Sequence, residues 1–515
     1  MEHIIASFVH LANPTVFLFL LAGVAVGLTV GSIPGLNDSI TLAVLIPVTF
    51  SMHPDYAFPL LVGIYCAACY GGSIPAILLR IPGTASSVVT ALDGYAMAQK
   101  GEAGQALGIS TTSSVFGGIT SSIILLFFAP ILASYALRFG PPEYFALALM
   151  GLSTVAGMSG GNMVKSLIVC LIGLLISTVG ISPLTGYPRF TFDSPNLYDG
   201  IPFIPMLIGL FGVTSVLELA ESICEQRLRS RAGEDVEIKI PRIGRVLPKW
   251  SMVKRLLPTW MISSGIGNVI GIIPGAGMLM AIYMAYDQTA RRHKDKDFGS
   301  GVPEGVAAPE AANNAVVASS MVPLLSLGVP GNSTSALFLG ALLIQGLRPG
   351  PALFRDTPDI AYLIVVSFLV ANIVMAPMGI FLGRTLSRLI FKLPREVLGA
   401  VISVLCLTGA FAVGNSVFNI WVAIGFGVLG YVFNKCDLPH SPLILAVVLG
   451  AMMERGLFQS LTLSHGSLSI FVTRPISLVL LIGALFFVAT PLIKSVYRRR
   501  KNGKNGKNGE GAQHA

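Results

Sequence analysis

Long apolar stretches alternate along the chain with short polar segments. Two examples are "ITSSIILLFFAPILASYAL" and "ISLVLLIGALFFVATPLIKSV". A helix of about 20 apolar residues crosses a hydrocarbon core of roughly 30 Å. The pattern predicts an all-α polytopic membrane protein with about 11 or 12 transmembrane helices, plus shorter paired segments that are broken or re-entrant.

Pro-Gly motifs interrupt these stretches in the same order in each half of the chain. "GSIPGLNDSI" (31–40) matches "GIIPGAGMLM" (271–280), and "IPGT" (81–84) matches "VPGN" (329–332). Proline removes a backbone donor, and glycine adopts the dihedral angles that a break needs. A simple kink is the alternative for one isolated pair, but the matched order favours true breaks. We predict structural helix breaks at Gly31, Pro34, Pro82, Gly271, Pro274 and Pro330.

The matched motifs divide the chain into two repeats. We predict a first membrane repeat over 1–222, a basic cytoplasmic connector over 223–257, a second membrane repeat over 258–493 and a disordered polar cytoplasmic tail over 494–515. Segment 258–290 lies between two basic stretches, so we expect a hairpin that enters from the cytoplasm with Pro274 and Gly275 near its tip. The matching segment 15–50 lacks basic flanks, which predicts two inverted-topology repeats.

The composition is typical of a membrane protein, and the distribution of Lys and Arg predicts which loops face the cytoplasm. The chain is 53% hydrophobic and 11% charged, whereas soluble domains carry about 25% charged residues. Lys and Arg are absent before Arg80 and cluster in 224–255, 291–297 and 494–510. Binding to nucleic acid or anionic lipid is an alternative reading of such clusters. The positive-inside rule favours a cytoplasmic C-terminus and a periplasmic, uncleaved N-terminus.

The polar runs after two of the Pro-Gly pairs predict an anion site. Ser, Thr and Asn cap helices, and the first N–H groups of a helix point outward with a partial positive charge. Two such ends meeting at the middle of the membrane suit a carboxylate. We predict that the substrate binds Gly83, Thr84, Ser86, Ser87, Gly331, Asn332, Ser333 and Thr334.

Acidic and amide residues near the other breaks predict ion coupling. Carboxylate, amide and hydroxyl oxygens suit Na⁺, and a carboxylate also carries H⁺. The predicted ion-coupling residues are Gly35, Asn37, Asp38, Ser39, Gly275, Gly277, Asn313 and Asn314. Asp38 acting only as a helix cap is the alternative.

Two further acids have open roles. Glu310 is interpreted as an end-of-loop residue near the cytoplasm in preference to an ion ligand, and Asp93 either caps a helix or pairs with Lys100.

Nothing in the sequence predicts catalysis, a metal centre or an organic cofactor. No hydrolase triad, phosphate-binding loop or dinucleotide motif stands in a fitting context. The 7 His lack metal-ligand spacing. Cys66 and Cys69 have C-x-x-C spacing but lie in an apolar segment, where they are expected to be small packing residues.

Several long motifs together carry a family resemblance. "GSIPGLNDSITLAVLIPVTF", "YGGSIPAILLRIPGTASSVVTALDGYAMAQKGEAGQALG", "GIIPGAGMLMAIYMAYDQ", "EGVAAPEAANNA" and "LGVPGNSTSALFLGALLIQGLRPGP" resemble the large integral-membrane (TctA-type) subunit of the bacterial tripartite tricarboxylate transporters. The resemblance runs from about residue 15 to about residue 490. It implies an inner-membrane secondary transporter driven by an Na⁺ or H⁺ gradient. It also implies two partners, a small four-helix membrane subunit and a periplasmic solute-binding protein that delivers a carboxylate such as citrate.

The sequence therefore predicts the permease subunit of an ion-gradient-driven uptake system for tricarboxylates or related carboxylates. A stand-alone organic-anion carrier and an ion channel are the alternatives, since channels also use broken helices. An intramembrane enzyme would need a nucleophile–base pair, and a scaffold or sensor would not need costly intramembrane polar groups.

Overall fold

The structure is a computed structural model of the whole chain. It describes residues 2–33, 35–158, 163–182, 185–231, 243–275, 277–389 and 395–489. Pro34, one of the predicted helix breaks, and the predicted polar tail 494–515 lie outside these residues.

The described residues form helices almost throughout, which confirms the all-α prediction. The helices of the first half are α1 Glu2–Leu11, α2 Pro14–Gly31, α3 Asp38–Thr49, α4 Pro54–Gly71, α5 Ser73–Leu79, α6 Val88–Gln99, α7 Ala103–Ala136, α8 Pro141–Met158, α9 Met163–Ser177, α10 Phe203–Leu207 and α11 Thr214–Arg231, with a π-helical turn at Ile208–Val213 before α11. A two-residue hairpin, β1 Gly180–Ile181 and β2 Pro188–Arg189, follows α9.

The helices of the second half follow the connector. They are α12 Trp250–Ile272, α13 Met278–Arg292, α14 Pro303–Ser319, α15 Met321–Leu327, α16 Ser333–Ile344, α17 Pro351–Asp356, α18 Pro358–Leu389, α19 Arg395–Ala412, α20 Val417–Lys435, α21 Ser441–Leu463, α22 Ile470–Thr473 and α23 Pro475–Ala489. Helix α11 reaches Arg231 and α12 starts at Trp250, so helical structure enters both ends of the predicted connector 223–257.

Membrane-crossing helices are abundant. In the described part of the chain, seven helical segments are long and apolar enough to span a membrane, and five further apolar helices have 10–17 residues. The short helices include α3 and α16, which directly follow predicted breaks. Long and short helices together agree with a polytopic protein that contains broken helices.

The order of helices in the first half recurs in the second. Helices α2 to α7 contain 18, 12, 18, 7, 12 and 34 residues. Their counterparts α12 to α16 and α18 contain 23, 15, 17, 7, 12 and 32 residues. Each half thus contains, in order, a long helix, a break, a shorter helix of 12 or 15 residues, a long helix followed directly by a 7-residue helix, and a second break.

Equivalent helices of the two halves run antiparallel to each other. Asn313 and Asn314 of α14 donate to the carbonyl oxygens of Cys69 and Cys66 of α4, so the residue numbers run in opposite directions. Helices α7 and α18 show the same relation, because Asn372 bonds Ser122 whereas Gly379, later in α18, lies against Thr111, earlier in α7. At these contacts the equivalent helices of the two halves therefore run in opposite directions.

Glycines allow the helix pairs inside each half to pack closely. A Cβ atom on Gly23, Gly27 or Gly31 of α2 would lie within 2.7 Å of backbone atoms of α4. A Cβ atom on Gly267 of α12 would lie 2.5 Å from the Ala312 carbonyl oxygen of α14. Gly31 is the last residue of α2, and Gly271 is the penultimate residue of α12, so both lie on the helical side of their breaks. At these positions the lack of a side chain is what the packing requires.

Candidate substrate and ion site

All four broken segments meet at one cavity of about 400 Å³. The first residues of α3, α13 and α16 line it, and so does the short 3-10 turn Ala85–Ser87 that leads into α6. Each helix start points unpaired N–H groups and the positive end of its dipole outward. The cavity therefore offers several peptide donors to an anion from different directions. We call it the central cavity.

The first-half tip, residues 80–87, is closed by its own hydroxyl groups. Ser87 Oγ donates to the Thr84 carbonyl oxygen at 2.8 Å and accepts from the Thr84 backbone N–H at 3.3 Å. Thr84 Oγ1 and Ser86 Oγ lie 2.8 Å apart. Ser86 and Ala85 line the central cavity, whereas Thr84 and Ser87 support them from behind.

The second-half tip, residues 328–335, uses the same arrangement with a stronger cap. Asn332 Oδ1 accepts from the Ser335 N–H, and Ser335 Oγ accepts from the Asn332 N–H, both at 2.8 Å. The Asn332 amide also donates to the Tyr65 hydroxyl at 3.0 Å, which fixes the tip against α4. Asn332, Ser333 and Thr334 all line the central cavity. A reciprocal cap of this kind satisfies two otherwise unpaired N–H groups.

Asp38 lies at the wall of the central cavity and is 9% exposed. Its Oδ2 accepts a hydrogen bond of 2.5 Å from Thr334 Oγ1, and Ser39 Oγ lies 2.8 Å from the same hydroxyl. Asn37 caps α3 through a bond of 2.8 Å from the Ile40 N–H. Asp38 is the first residue of α3, but its neighbour Asn37 does the capping.

In the corresponding second-half break, the described residues offer the cavity glycine backbone in place of a carboxylate. Gly275 and Gly277 have φ angles of 79° and 68°, which residues with a side chain rarely adopt. The Gly275 N–H donates to the Gly331 carbonyl oxygen at 2.8 Å, and the Pro274 carbonyl oxygen accepts from Thr154. Gly275 and Gly277 line the central cavity, and Met278 stands where Asp38 stands in the first half.

In the structure, residues that the sequence predicts for the ion are in contact with residues that it predicts for the substrate. Asp38 and Ser39, predicted for the ion, contact Thr334, predicted for the substrate. Gly275, predicted for the ion, is bonded to Gly331, predicted for the substrate. The first break of each half thus contacts the second break of the other half.

Several predicted site residues lie near the cavity without lining it. Gly83 packs against Gly72 and the Gly31 carbonyl oxygen, and Gly331 packs in the same way against Ser320 and the Gly271 carbonyl oxygen. These two glycines let the tips approach the ends of α2 and α12. The predicted residues that do not line the cavity are Gly35, Gly83, Thr84, Ser87, Gly331, Asn313 and Asn314.

Asn313 and Asn314 hold the two halves together instead of facing the cavity. Their Nδ2 groups donate to α4 carbonyl oxygens at 3.2 and 3.4 Å, and their side-chain oxygens are buried without a hydrogen-bond partner among the described residues. They lie at the crossing of α4 and α14.

The structure corrects the interpretation of two acids. Glu310 lies in the middle of α14 and is fully buried, so it is not an end-of-loop residue. Asp93 is not paired with Lys100, whose ammonium donates to the Ser300 carbonyl oxygen. Asp93 Oδ1 instead accepts the N–H groups of Gly299, Gly301 and Val302 at 2.7–2.9 Å and organises the loop before α14.

Sequence reasoning missed the contribution of the α20–α21 connection. His440 and Ser441 line the central cavity, and Ser441 Oγ lies 2.5 Å from Ser333 Oγ. His440 Nε2 lies 3.1 Å from the Gly430 carbonyl oxygen, which fits an N–H donor on that nitrogen. The segment "LPHSPL" carried the signal, because prolines flank two polar residues between apolar stretches.

Comparison with known proteins identifies the family of the chain. The model of the tripartite tricarboxylate transporter TctA family matches residues 17–445. The chain belongs to this family. A relative from Agrobacterium vitis, described as an uncharacterized 52.8 kDa protein in the TAR-I ttuC' 3'region, is 35% identical over 95% of both chains.

A second Agrobacterium vitis relative, an uncharacterized protein in the TAR-II ttuC' 3'region, is 33% identical over 45% of this chain and 97% of its own. No solved structure matches the chain. Membership makes the chain the large multi-pass membrane subunit of a transporter type rather than a member of an enzyme family.

Proposed function

We propose that the chain is the permease of an ion-gradient-driven tripartite uptake system and that its central cavity binds a tricarboxylate or related carboxylate. The observation that carries the proposal is the convergence of broken-helix starts from both halves on one cavity. The described residues that line it include no Lys or Arg. Peptide N–H groups and hydroxyls of Ser86, Ser333 and Thr334 would therefore bind the carboxylate groups.

The carboxylate of Asp38 in the same cavity supports ion coupling. An anionic substrate beside an ionised Asp38 is repelled, and both lie in a low-dielectric site where that repulsion is strong. A cation bound with the substrate, either Na⁺ or H⁺ on Asp38, removes the conflict. Substrate and cation then enter and leave together, which is symport.

The antiparallel contacts between equivalent helices of the two halves support alternating access. Helices α4 and α14, and likewise α7 and α18, run antiparallel at their contacts. If each half occupies the membrane, such a pair inserts with opposite topology and exposes a shared site to either face in turn. We assign the basic segments 243–255 and 291–297 to the cytoplasm of the bacterial inner membrane by the positive-inside rule.

Family membership supports two partners for this subunit, a small four-helix membrane protein and a periplasmic solute-binding protein. The binding protein would select the carboxylate and deliver it, since helix starts recognise charge more than carbon skeleton.

Uptake into proteoliposomes that hold all three components tests the proposal. Radiolabelled citrate and related acids are offered under separate Na⁺ and pH gradients. Accumulation above the external concentration, lost when the gradient is collapsed, is expected. Flux that only equilibrates the acid would favour a channel and overturn the proposal.

A further inference from the structure

Glu310 is a buried carboxylate surrounded by hydroxyl groups. Its Oε1 accepts from Ser73 Oγ at 2.5 Å and from Thr90 Oγ1 at 2.6 Å, and its Oε2 accepts from Ser114 Oγ at 2.6 Å. The Ser110 hydroxyl faces the same carboxylate, and it is buried without a hydrogen-bond partner in the described part of the chain. Four hydroxyls from three helices therefore enclose one carboxyl group.

This carboxylate has no cationic partner among the described residues. Glu304, two turns earlier on the same helix, is just as buried but is paired with Arg255 at 2.8 Å and Lys296 at 2.7 Å. An unpaired charge in a protein interior is costly, and it is commonly neutralised by a proton. The short distances around Glu310 accommodate a proton without moving any oxygen. A metal ion instead requires the hydroxyls to turn their lone pairs toward it.

Among the titratable groups that surround it, Glu310 is the one that takes up the proton. Helix α4 contributes the Cys69 thiol and the Tyr70 phenol, two kinds of group whose ordinary pKa values lie above 7. Asp93 on α6 is occupied by three backbone N–H groups and by Tyr286 of α13. Arg255 of α12 serves Glu304, and α7 offers only hydroxyls around the carboxylate.

Glu310 also joins the two arms of the first-half broken hairpin. Ser73 is the first residue of α5, and Thr90 lies in the first turn of α6. The tip between these arms forms one wall of the central cavity through Ala85 and Ser86. An ionised carboxylate accepts from every hydroxyl, whereas a protonated one must donate one bond, so at least one hydroxyl rotates. The protonation state therefore changes how the hairpin is held.

We infer that Glu310 is a second coupling site, which binds one proton from one side of the membrane and releases it to the other in each transport cycle. The inference rests on the proposed function and deepens it. On uptake, one O–H bond of hydronium breaks as one O–H bond forms on a carboxylate oxygen of Glu310, and on release the same proton passes to a water molecule on the other side. Asp38 handles the cation that accompanies the substrate in the cavity, and Glu310 handles a proton outside it.

The test compares Glu310→Gln with the matched control Glu304→Gln in proteoliposomes that contain the complete three-component system. The proton-to-substrate ratio is measured from the accumulation that imposed pH gradients sustain. For Glu310→Gln the ratio falls by one, so a one-unit pH gradient sustains about tenfold less accumulation. Exchange of internal for external substrate persists. Glu304→Gln keeps the wild-type ratio. An unchanged ratio in Glu310→Gln overturns the inference.

Infrared difference spectroscopy of the purified wild-type complex gives a readout that needs no transport. A protonated-carboxyl band that appears as pH falls and is missing in Glu310→Gln supports the inference, and its absence in the wild type overturns it. If Glu310→Gln does not fold, Ser114→Ala replaces it, and its band appears at higher pH because the ionised form loses a donor. Wild-type complexes that show the band but accumulate no carboxylate would overturn the proposed function and the coupling role with it, while leaving Glu310 as a group that binds a proton.

Discussion

The two halves share a backbone plan but place different side chains at their helix breaks. The first half puts Asn37, Asp38 and Ser39 at the start of α3, whereas the second half starts α13 with Gly277 and Met278. At the tips it is the second half that has the additional side-chain contact: Asn332 is bonded to Tyr65 of α4, whereas the hydrogen bonds of Thr84 to the described residues stay within its own tip. The repeated backbone therefore builds the cavity, and the unmatched side chains give its described lining a single carboxylate, that of Asp38.

Removing the close approach of the tips should have the largest effect, and it should be equal in both halves. A Cβ atom at Gly83 would lie 2.7 Å from Gly72 Cα, and one at Gly331 would lie 2.9 Å from Ser320 Cβ. We expect Gly83→Ala and Gly331→Ala each to cost about 1–3 kcal/mol, because the crossings become overpacked. Thermal unfolding of the purified protein measures this loss.

Gly265→Ala is the matched control, since its added methyl group meets nothing within 4 Å. If only one of the two tip variants lost stability, the two halves would not be equivalent in the packing of their tips.

Removing the single cavity carboxylate is expected to have the next largest effect. Asp38→Asn keeps the shape and the acceptor for Thr334 but cannot exchange a proton or bind Na⁺ as a charge. Under a tenfold ion gradient we expect accumulation to fall by about tenfold for each ion lost. Met278→Leu changes the equivalent second-half residue and should leave accumulation intact. Wild-type coupling in Asp38→Asn would exclude Asp38 from the mechanism.

The two tip caps should differ moderately. Asn332→Ala removes the cap of α16 and the bond to Tyr65, so we expect a loss of about 1–2 kcal/mol and a severalfold higher KM. Thr84→Ala removes one hydroxyl whose partner is the neighbouring Ser86, and its effect should be smaller. Uptake kinetics of both variants, measured in parallel, decide this. A larger increase in KM for Thr84→Ala than for Asn332→Ala would contradict the expectation that the second-half cap is the stronger one.

The smallest effect on transport is expected at the crossing of α4 and α14. Asn314→Ala removes a long hydrogen bond to Cys66 and an unsatisfied buried oxygen. We expect a change in stability of about 1 kcal/mol or less and an unaltered ion dependence. An altered Na⁺ or pH dependence of uptake would instead support the ion role that the sequence predicts for Asn314.

The sequence predicted those features that the covalent chain repeats. Pro82, Pro274 and Pro330 all lie in the non-helical segments of the structure, because proline and glycine interrupt helices locally. It also predicted that segments 31–40 and 329–335 each have a counterpart with the same Pro-Gly pattern in the other half. These are short-range properties that need no knowledge of packing.

Contacts between the halves were beyond sequence reasoning. The pairing of Asp38 with Thr334 joins residues 296 positions apart, and no local pattern reveals it. Glu310 was misread because "EGVAAPEAANNA" looks like the end of a polar loop, although its alanines pack it into the centre of the molecule. His440 was missed because it follows α20 in a segment without a Pro-Gly pair.

Cysteine accessibility tests most directly the prediction that the two halves are inserted with opposite topology. The exposed Cys224 and Cys436 are first replaced by Ser, and single cysteines are introduced by Ser51→Cys and Lys294→Cys in the equivalent α3–α4 and α13–α14 connections. An impermeant thiol reagent is then applied to sealed membranes of each orientation. We predict that the two positions are labelled from opposite faces. Labelling of both from the same face would contradict the account.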